Sequence, residues 1–436
     1  MSTLAVRQAP ARPAAPRADA AVSEPAREWD PLLLCVAAYV LTAVGRIHQL
    51  FEALEVLHLA ILSGLLAIAL YVFDGSARRR AALALGPTAA FAAALLAWMM
   101  LSVPFALNTG ASFDLVFNNF IKTAIMSFVV AGSVRGPRDV ERLTLVYFAG
   151  AVIYSLVVVT RFDLGDGAKW RLGHLYYYDA NDFATFVVTA IPFGIHFLHA
   201  AAKTSARGAA ALGLVVLTLG FVWSGSRGGF IALGAVAVFI VFRYSAIPAR
   251  WRVSATALVA VVVVLTASDQ YWQQMGTITS ESDYNHTSET GRLQIWDRGI
   301  GYMIGNPLLG VGPNNFPAAE GTLSALAVRQ QYGIGVRWNA AHNSFIQIGA
   351  ETGIPGLALF IAVIASAFAA LRRSGRAEAA LAGAGQAYTP VTPALTASLI
   401  GFVVGACFLS LAYSEMLYTL VAFAVGLRKV TRDAGT

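Results

Sequence analysis

Charge is what this sequence has least of: 13% of its 436 residues are Asp, Glu, Lys or Arg, against about a quarter in a soluble globular chain. Together with 57% hydrophobic residues and a mean hydropathy of +0.63, that scarcity excludes a soluble domain. Cysteine is nearly absent, and Cys35 and Cys407 both sit in apolar blocks, so no disulfide framework is legible. The three histidines of the outer loops, His174, His286 and His342, show no close metal-ligand spacing, and Asp179 and Asp182 lack the Asp-X-Asp spacing that holds a sugar-nucleotide metal. No short-period repeat argues for a solenoid or a plainly duplicated transporter. The net charge of +7 points formally towards nucleic acid, but in so apolar a chain positive charge mostly sets membrane topology. No nucleic-acid partner is expected.

What is present in abundance is apolar sequence of bilayer-spanning length, roughly 17–25 residues at a time. About twelve candidate spans start near Pro31, Leu54, Ala84, Phe113, Leu143, Asp182, Ala209, Gly228, Val253, Asn343, Pro393 and Met416. The expected fold is all-α and polytopic. Residues 1–29, rich in Ala, Pro and Arg, form a disordered cytoplasmic tail. Residues 30–267 hold nine spans, 268–342 a partly helical outer loop domain, 343–428 three further spans and 429–436 a second tail. The loops alternate in character. "GSARRR", "RGPRDVER", "KTSARG", "FRYSAIPARWR", "LRRSGR" and "RKVTRD", with the first tail, carry most of the 31 Lys and Arg. Basic residues beside span ends stay cytoplasmic, which puts both termini inside and requires an even number of spans.

Cations outside those loops break the pattern, among them Arg46, Arg161, Arg171, Arg227, Arg292, Arg298 and Arg337. Each is expected to pair with a nearby acid, to snorkel, or to serve a site. Arg227 stands out. It lies in "VWSGSRGGFIAL", between two spans, where a helix starting near Gly228 adds backbone N–H groups and a positive dipole end. Guanidinium captures phosphate oxygens in pairs, so an anion site is favoured here over a buried ion pair. The outer loop "KWRLGHLYYYDANDFA" offers Arg171 and His174 to a headgroup or sugar, with Asn181 or Asp182 expected to cap the next helix. In "RWNAAHNSFIQIGAETGIPG", Asn343 is a plausible N-cap and His342 sits at the helix mouth, five residues from Arg337. Gly353, Pro355 and Gly356 are expected to distort the helix that follows. Imidazole takes up a proton near neutral pH, and a base beside cations at a distorted helix favours catalysis over a boundary marker.

"HNSFIQIGAETGIPG" fits the pattern His-[Asn/Ser/Gln], nine residues, Gly, two residues, [Gly/Thr/Tyr], with His342, Asn343, Gly353 and Gly356 in place. That pattern resembles the O-antigen ligase family of bacterial membrane glycosyltransferases, which includes O-antigen polymerases and protein O-glycosylation ligases. "SGSRGGF" around Arg227 and "GRLQIWDRGIGYMIGNPLLGVGPNNF" from Gly291 to Phe316 are similar to the family too, and the likeness spans roughly Leu32 to Leu427. It implies inverting transfer of a glycan from an undecaprenyl-pyrophosphate carrier to a lipid A-core, glycan or protein acceptor, on the periplasmic face of the inner membrane. It also implies no metal, no nucleoside triphosphate and no other cofactor. Arg227 is then the candidate for the pyrophosphate and His342 for the base. Arg171, Arg292 and Arg337 follow on chemistry and loop position, with His174 and Asn343 as further substrate contacts. "YYYDANDFATF" resembles the protein O-glycosylation and exopolysaccharide branches. A polymerase using the same donor is the alternative within the class, and a lipid or glycan transporter the alternative outside it.

Overall fold

The computed structural model describes residues 29–75, 86–162, 164, 170–173, 175, 177–327, 339–383 and 389–432. Among these residues the fold is helical throughout, without strands. Eight helices are long and apolar enough to cross a membrane. They are α2 (Ala53–Phe73), α3 (Pro87–Phe105), α4 (Thr109–Ser133), α5 (Pro137–Arg161), α6 (Ala180–Ala200), α7 (Thr204–Ser224), α9 (Ala249–Thr266) and α14, whose spanning part is Ser344–Ala379. Four more occupy the other expected positions: α1 (Pro31–Val44), α8 (Arg227–Arg243), α15 (Thr392–Ala406) and α16 (Glu415–Arg432). Between α9 and α14 lie α10 (Asp269–Gly276), α11 (Tyr284–Thr287), α12 (Arg292–Gly305) and α13 (Phe316–Thr322). All twelve expected apolar segments are therefore helices.

Their ends differ from expectation where charge interrupts the apolar run. α5 starts at Pro137, well before Leu143, because Pro suits the first helical position and the charged first turns are internally paired. Arg135 grips buried Asp139 through Nε at 2.8 Å, and Arg142 reaches the same carboxylate at 2.9 Å. Polar turns that satisfy themselves extend a helix past the stretch that hydropathy marks.

α6 is the most enclosed of the eight spanning helices, packed against α5, α7, α8 and α15. Its first residue, Ala180, and that of α8, Arg227, lie at one end of the bundle, as does the start of α14. α12 and α13 are fastened beside that start by a small core of Ile295, Tyr302, Val311, Phe316, Ala341 and Ala350. Two buried acids complete the attachment. Glu320 takes a bidentate grip from Arg298, at 2.8 and 2.6 Å, and a hydroxyl bond from Tyr302. Glu351 accepts the backbone N–H groups of Asn314 and Phe316 and the Tyr413 hydroxyl. Burying a carboxylate is tolerable only when its oxygens are filled in this way.

α14 is interrupted as expected. Gly353 adopts φ 73° and ψ −175°, inside a helix that also contains Pro355. Leu308 and Pro307 pack so closely on Gly353 that no side chain fits there, and the Ile354 N–H bonds to the Pro307 carbonyl instead of within the helix. A helix break is permitted at this depth because neighbouring protein satisfies the freed backbone.

Candidate active site

Four of the residues singled out from the sequence line one cavity of about 500 Å³: Arg171, Arg227, Arg292 and His342. Each arrives on a different element. Arg171 is on the loop before α6, held by the Leu172 N–H to the Trp223 carbonyl at 2.8 Å. Trp170 packs over Gly225, whose φ of +58° turns the chain between α7 and α8. Arg227 opens α8, with the Ser226 hydroxyl capping by accepting the Gly229 N–H at 3.1 Å. Arg292 opens α12.

His342 is fixed by its backbone. It sits in the left-handed region at φ 47°, and its N–H donates to Ser410 Oγ at 2.9 Å. The preceding Ala341 carbonyl accepts Trp296 Nε1 from α12, and Ser344 bridges to Leu409 and Leu411. Asn343 caps α14 as expected, its Oδ1 accepting the N–H groups of Phe345 and Ile346. It does not line the cavity. His174 and Arg337 lie outside the described residues.

The cavity is electropositive. The side chains of Arg171 and Arg292 make no hydrogen bond and no ion pair among the described residues. Burial pushes both guanidinium groups below their ordinary pKa, and the positive charge of Arg227 pushes the same way. Asp179 and Tyr284 only partly oppose it. Both stay charged at neutral pH, because arginine starts so high. Asn339 adds a buried amide Nδ2 with no partner among the described residues, on the cavity wall.

Several features were not foreseen. Arg227 is ion-paired after all: one of its terminal nitrogens donates to Asp283 Oδ2 at 2.8 Å and to Thr277 Oγ1 at 2.6 Å. Burial pushes Asp283 upward, but the Asn285 N–H and the Arg227 guanidinium outweigh it and hold the carboxyl below the ordinary range. The Tyr284 ring lies 5.5 Å from the Arg227 carbon, and Tyr284 also faces the cavity. Asp179, not Asn181 or Asp182, caps α6, with Oδ1 accepting both of their N–H groups. The remaining outer cations mostly follow the bland expectation: Arg46 pairs with Glu415 at 3.2 Å, Arg298 with Glu320, and Arg161 reaches the Leu50 carbonyl. The pairings of Arg227 and Arg298 join residues 56 and 22 positions apart, and no local spacing signals them.

A cavity lined by three arginines and a histidine suits a substrate that carries condensed negative charge beside a reacting centre. No curated protein matches the chain. The family model described as O-antigen ligase matches residues 212–361, a segment that contains Arg227, Arg292, His342 and the broken start of α14. That segment is similar to the O-antigen ligase family, and the likeness supports an enzyme of the ligase or polymerase type.

Proposed function

We propose that the protein transfers a glycan from an undecaprenyl-pyrophosphate carrier to an acceptor hydroxyl, as a ligase, on the periplasmic face of the inner membrane. The observation that carries this is the convergence of Arg171, Arg227 and Arg292 with His342 on one cavity. The arginine cavity lies at the end of the bundle away from the basic loops, which favours a periplasmic site with both termini cytoplasmic. In the step proposed, the acceptor oxygen attacks the anomeric carbon of the sugar as the bond from that carbon to the pyrophosphate oxygen breaks. His342 takes the hydroxyl proton, and the arginines hold the charge that develops on the leaving pyrophosphate. A single displacement inverts the anomeric centre. The arginines supply the charge neutralisation for which other enzymes use a divalent cation, so transfer proceeds without metal. The carrier's polyprenyl tail stays in the bilayer while its headgroup enters the cavity sideways. The acceptor is lipid A-core or a protein hydroxyl.

The test is transfer by purified protein in proteoliposomes, with an undecaprenyl-pyrophosphate-linked oligosaccharide as donor. His342→Ala should slow transfer by about 10²–10⁴, and chelator should leave the wild-type rate unchanged. A rate for His342→Ala within a few-fold of wild type reduces the histidine to a helix marker. In cells, loss of the protein should leave full-length polymer on the carrier and the acceptor bare. Single repeat units stalled on the carrier instead indicate a polymerase, and a normal profile a transporter.

A further inference from the structure

The helix ends far from the arginine cavity carry a second electropositive pocket. It has a volume of about 190 Å³ and lies between α3, α14 and α16. Arg373 of α14 and Arg428, Lys429 and Arg432 of α16 line it, and no carboxylate does so among the described residues. The first turn of α3, from Gly86 to Ala89, closes one side. That turn presents the N–H groups of Thr88 and Ala89 and the positive end of α3. Lys429 is partly committed, with Nζ donating to the Gly132 carbonyl at 2.7 Å. Arg373 and Arg432 are exposed and Arg428 half-buried, within reach of a ligand from the bilayer surface.

This pocket runs directly into an apolar groove of about 280 Å³, with Thr88, Ala89 and Val425 shared by both. The groove lies between α3, α4 and α16 and is walled by Ala92, Leu96, Phe120, Phe128 and Val421. Along α4 it extends from Phe120 to Ala131, about 16 Å at the helical rise per residue. Beyond the break at Gly353, α14 covers about 30 Å before it reaches Arg373, the thickness of a bilayer hydrocarbon core. The pocket therefore sits at the membrane interface opposite the arginine cavity, the side that the basic loops make cytoplasmic.

We propose that this pocket and groove bind one anionic glycerophospholipid of that leaflet, with its phosphate among Arg373, Arg428 and Arg432 and an acyl chain along the groove. Four cations on the lining of one small pocket, Arg373 and Arg428 among them, favour an anionic headgroup. The contiguity of the groove favours a lipid over a free phosphate. A basic pocket between helices at this interface is a physical match for anionic lipid headgroups. The site is independent of the transfer chemistry, since neither cavity contains a residue assigned to it.

Native mass spectrometry of the full-length protein in detergent tests this, with dioleoylphosphatidylglycerol and dioleoylphosphatidylcholine at equal concentration. Wild type should retain the anionic lipid at least about tenfold more than the zwitterionic one, since each of the three surface cations contributes up to roughly fivefold. Arg373→Gln with Arg428→Gln should abolish the preference, while Arg372→Gln, a neighbouring cation outside the pocket, should leave it intact. Ala92→Trp, which fills the groove and keeps every charge, should also release the lipid, so the test survives if the double variant does not fold. Equal retention of the two lipids by wild type, or an unchanged preference in a folded double variant or in Ala92→Trp, overturns the proposal. Complete displacement of the lipid by millimolar glycerol 3-phosphate also overturns it and leaves a phosphate site without a lipid.

Discussion

Three half-buried guanidinium groups on one cavity should destabilise the empty protein, and Arg292→Gln measures by how much. A cavity of 500 Å³ is about 10 Å across, and two unit charges that far apart repel by about 2 kcal/mol at an effective dielectric constant of about 20. Arg292 faces two such neighbours, Arg171 and Arg227, of which Arg227 is already ion-paired with Asp283, and it is partly compensated by Asp179. After that compensation and solvent screening, about 1 kcal/mol of net strain is expected to remain. Glutamine keeps the length and hydrogen-bonding capacity of the side chain while removing the charge. The thermal unfolding midpoint of the ligand-free variant in detergent should therefore equal or exceed that of wild type. Inorganic pyrophosphate, a soluble surrogate for the headgroup, should raise the wild-type midpoint by mass action and raise that of the variant less. Loss of one charge-assisted contact corresponds to a tenfold or greater fall in pyrophosphate affinity. A midpoint several degrees below wild type without ligand would refute the reasoning, because Arg292 would then be part of the scaffold.

Three other residues have outcomes that follow from their surroundings. Arg298→Met strands the Glu320 carboxylate, which is 1% exposed, and should cost about 3–5 kcal/mol, read as a lowered unfolding midpoint that Glu320→Leu in the same chain largely restores. Gly353→Ala places a Cβ against the Leu308 carbonyl at a positive φ and should cost several kcal/mol or prevent accumulation of folded protein, measured by fluorescence-detected size exclusion. Asp283 has a folded pKa below its ordinary value of 3.8, so the stability it contributes through Arg227 is present above that pH and lost as pH falls below it. The midpoint difference between wild type and Asp283→Asn should accordingly shrink between pH 5 and pH 3, and a difference independent of pH contradicts the pairing.

Elements whose cause is local were legible in the sequence. Apolar length marks a span, and each of the twelve expected segments is a helix. Asn343 caps α14 because a side-chain oxygen one residue before the helix has only the first N–H groups to accept. Gly353 breaks α14 because only glycine tolerates that backbone so close to Leu308. Features formed by distant segments were not legible. Asp283 and Tyr284 belong to a polar stretch without periodicity, and tertiary packing rather than local spacing brings such a stretch back over Arg227. The same reasoning explains Arg298, an outer cation without a visible reason in the sequence. Its partner Glu320 stands 22 residues on, beyond any helical spacing. Asp179 displaced the expected caps of α6 because Asx side chains at neighbouring positions compete for the same N–H groups, and sequence does not rank them.

The central claim is that the three arginines receive a pyrophosphate beside His342. The most direct measurement is an electron cryomicroscopy structure of the protein in nanodiscs with undecaprenyl pyrophosphate. The account predicts density for the two phosphates in the cavity, within hydrogen-bonding reach of Arg171, Arg227 and Arg292, and with the bridging end towards His342. Headgroup density elsewhere on the protein, with the arginine cavity empty at saturating lipid, would contradict it.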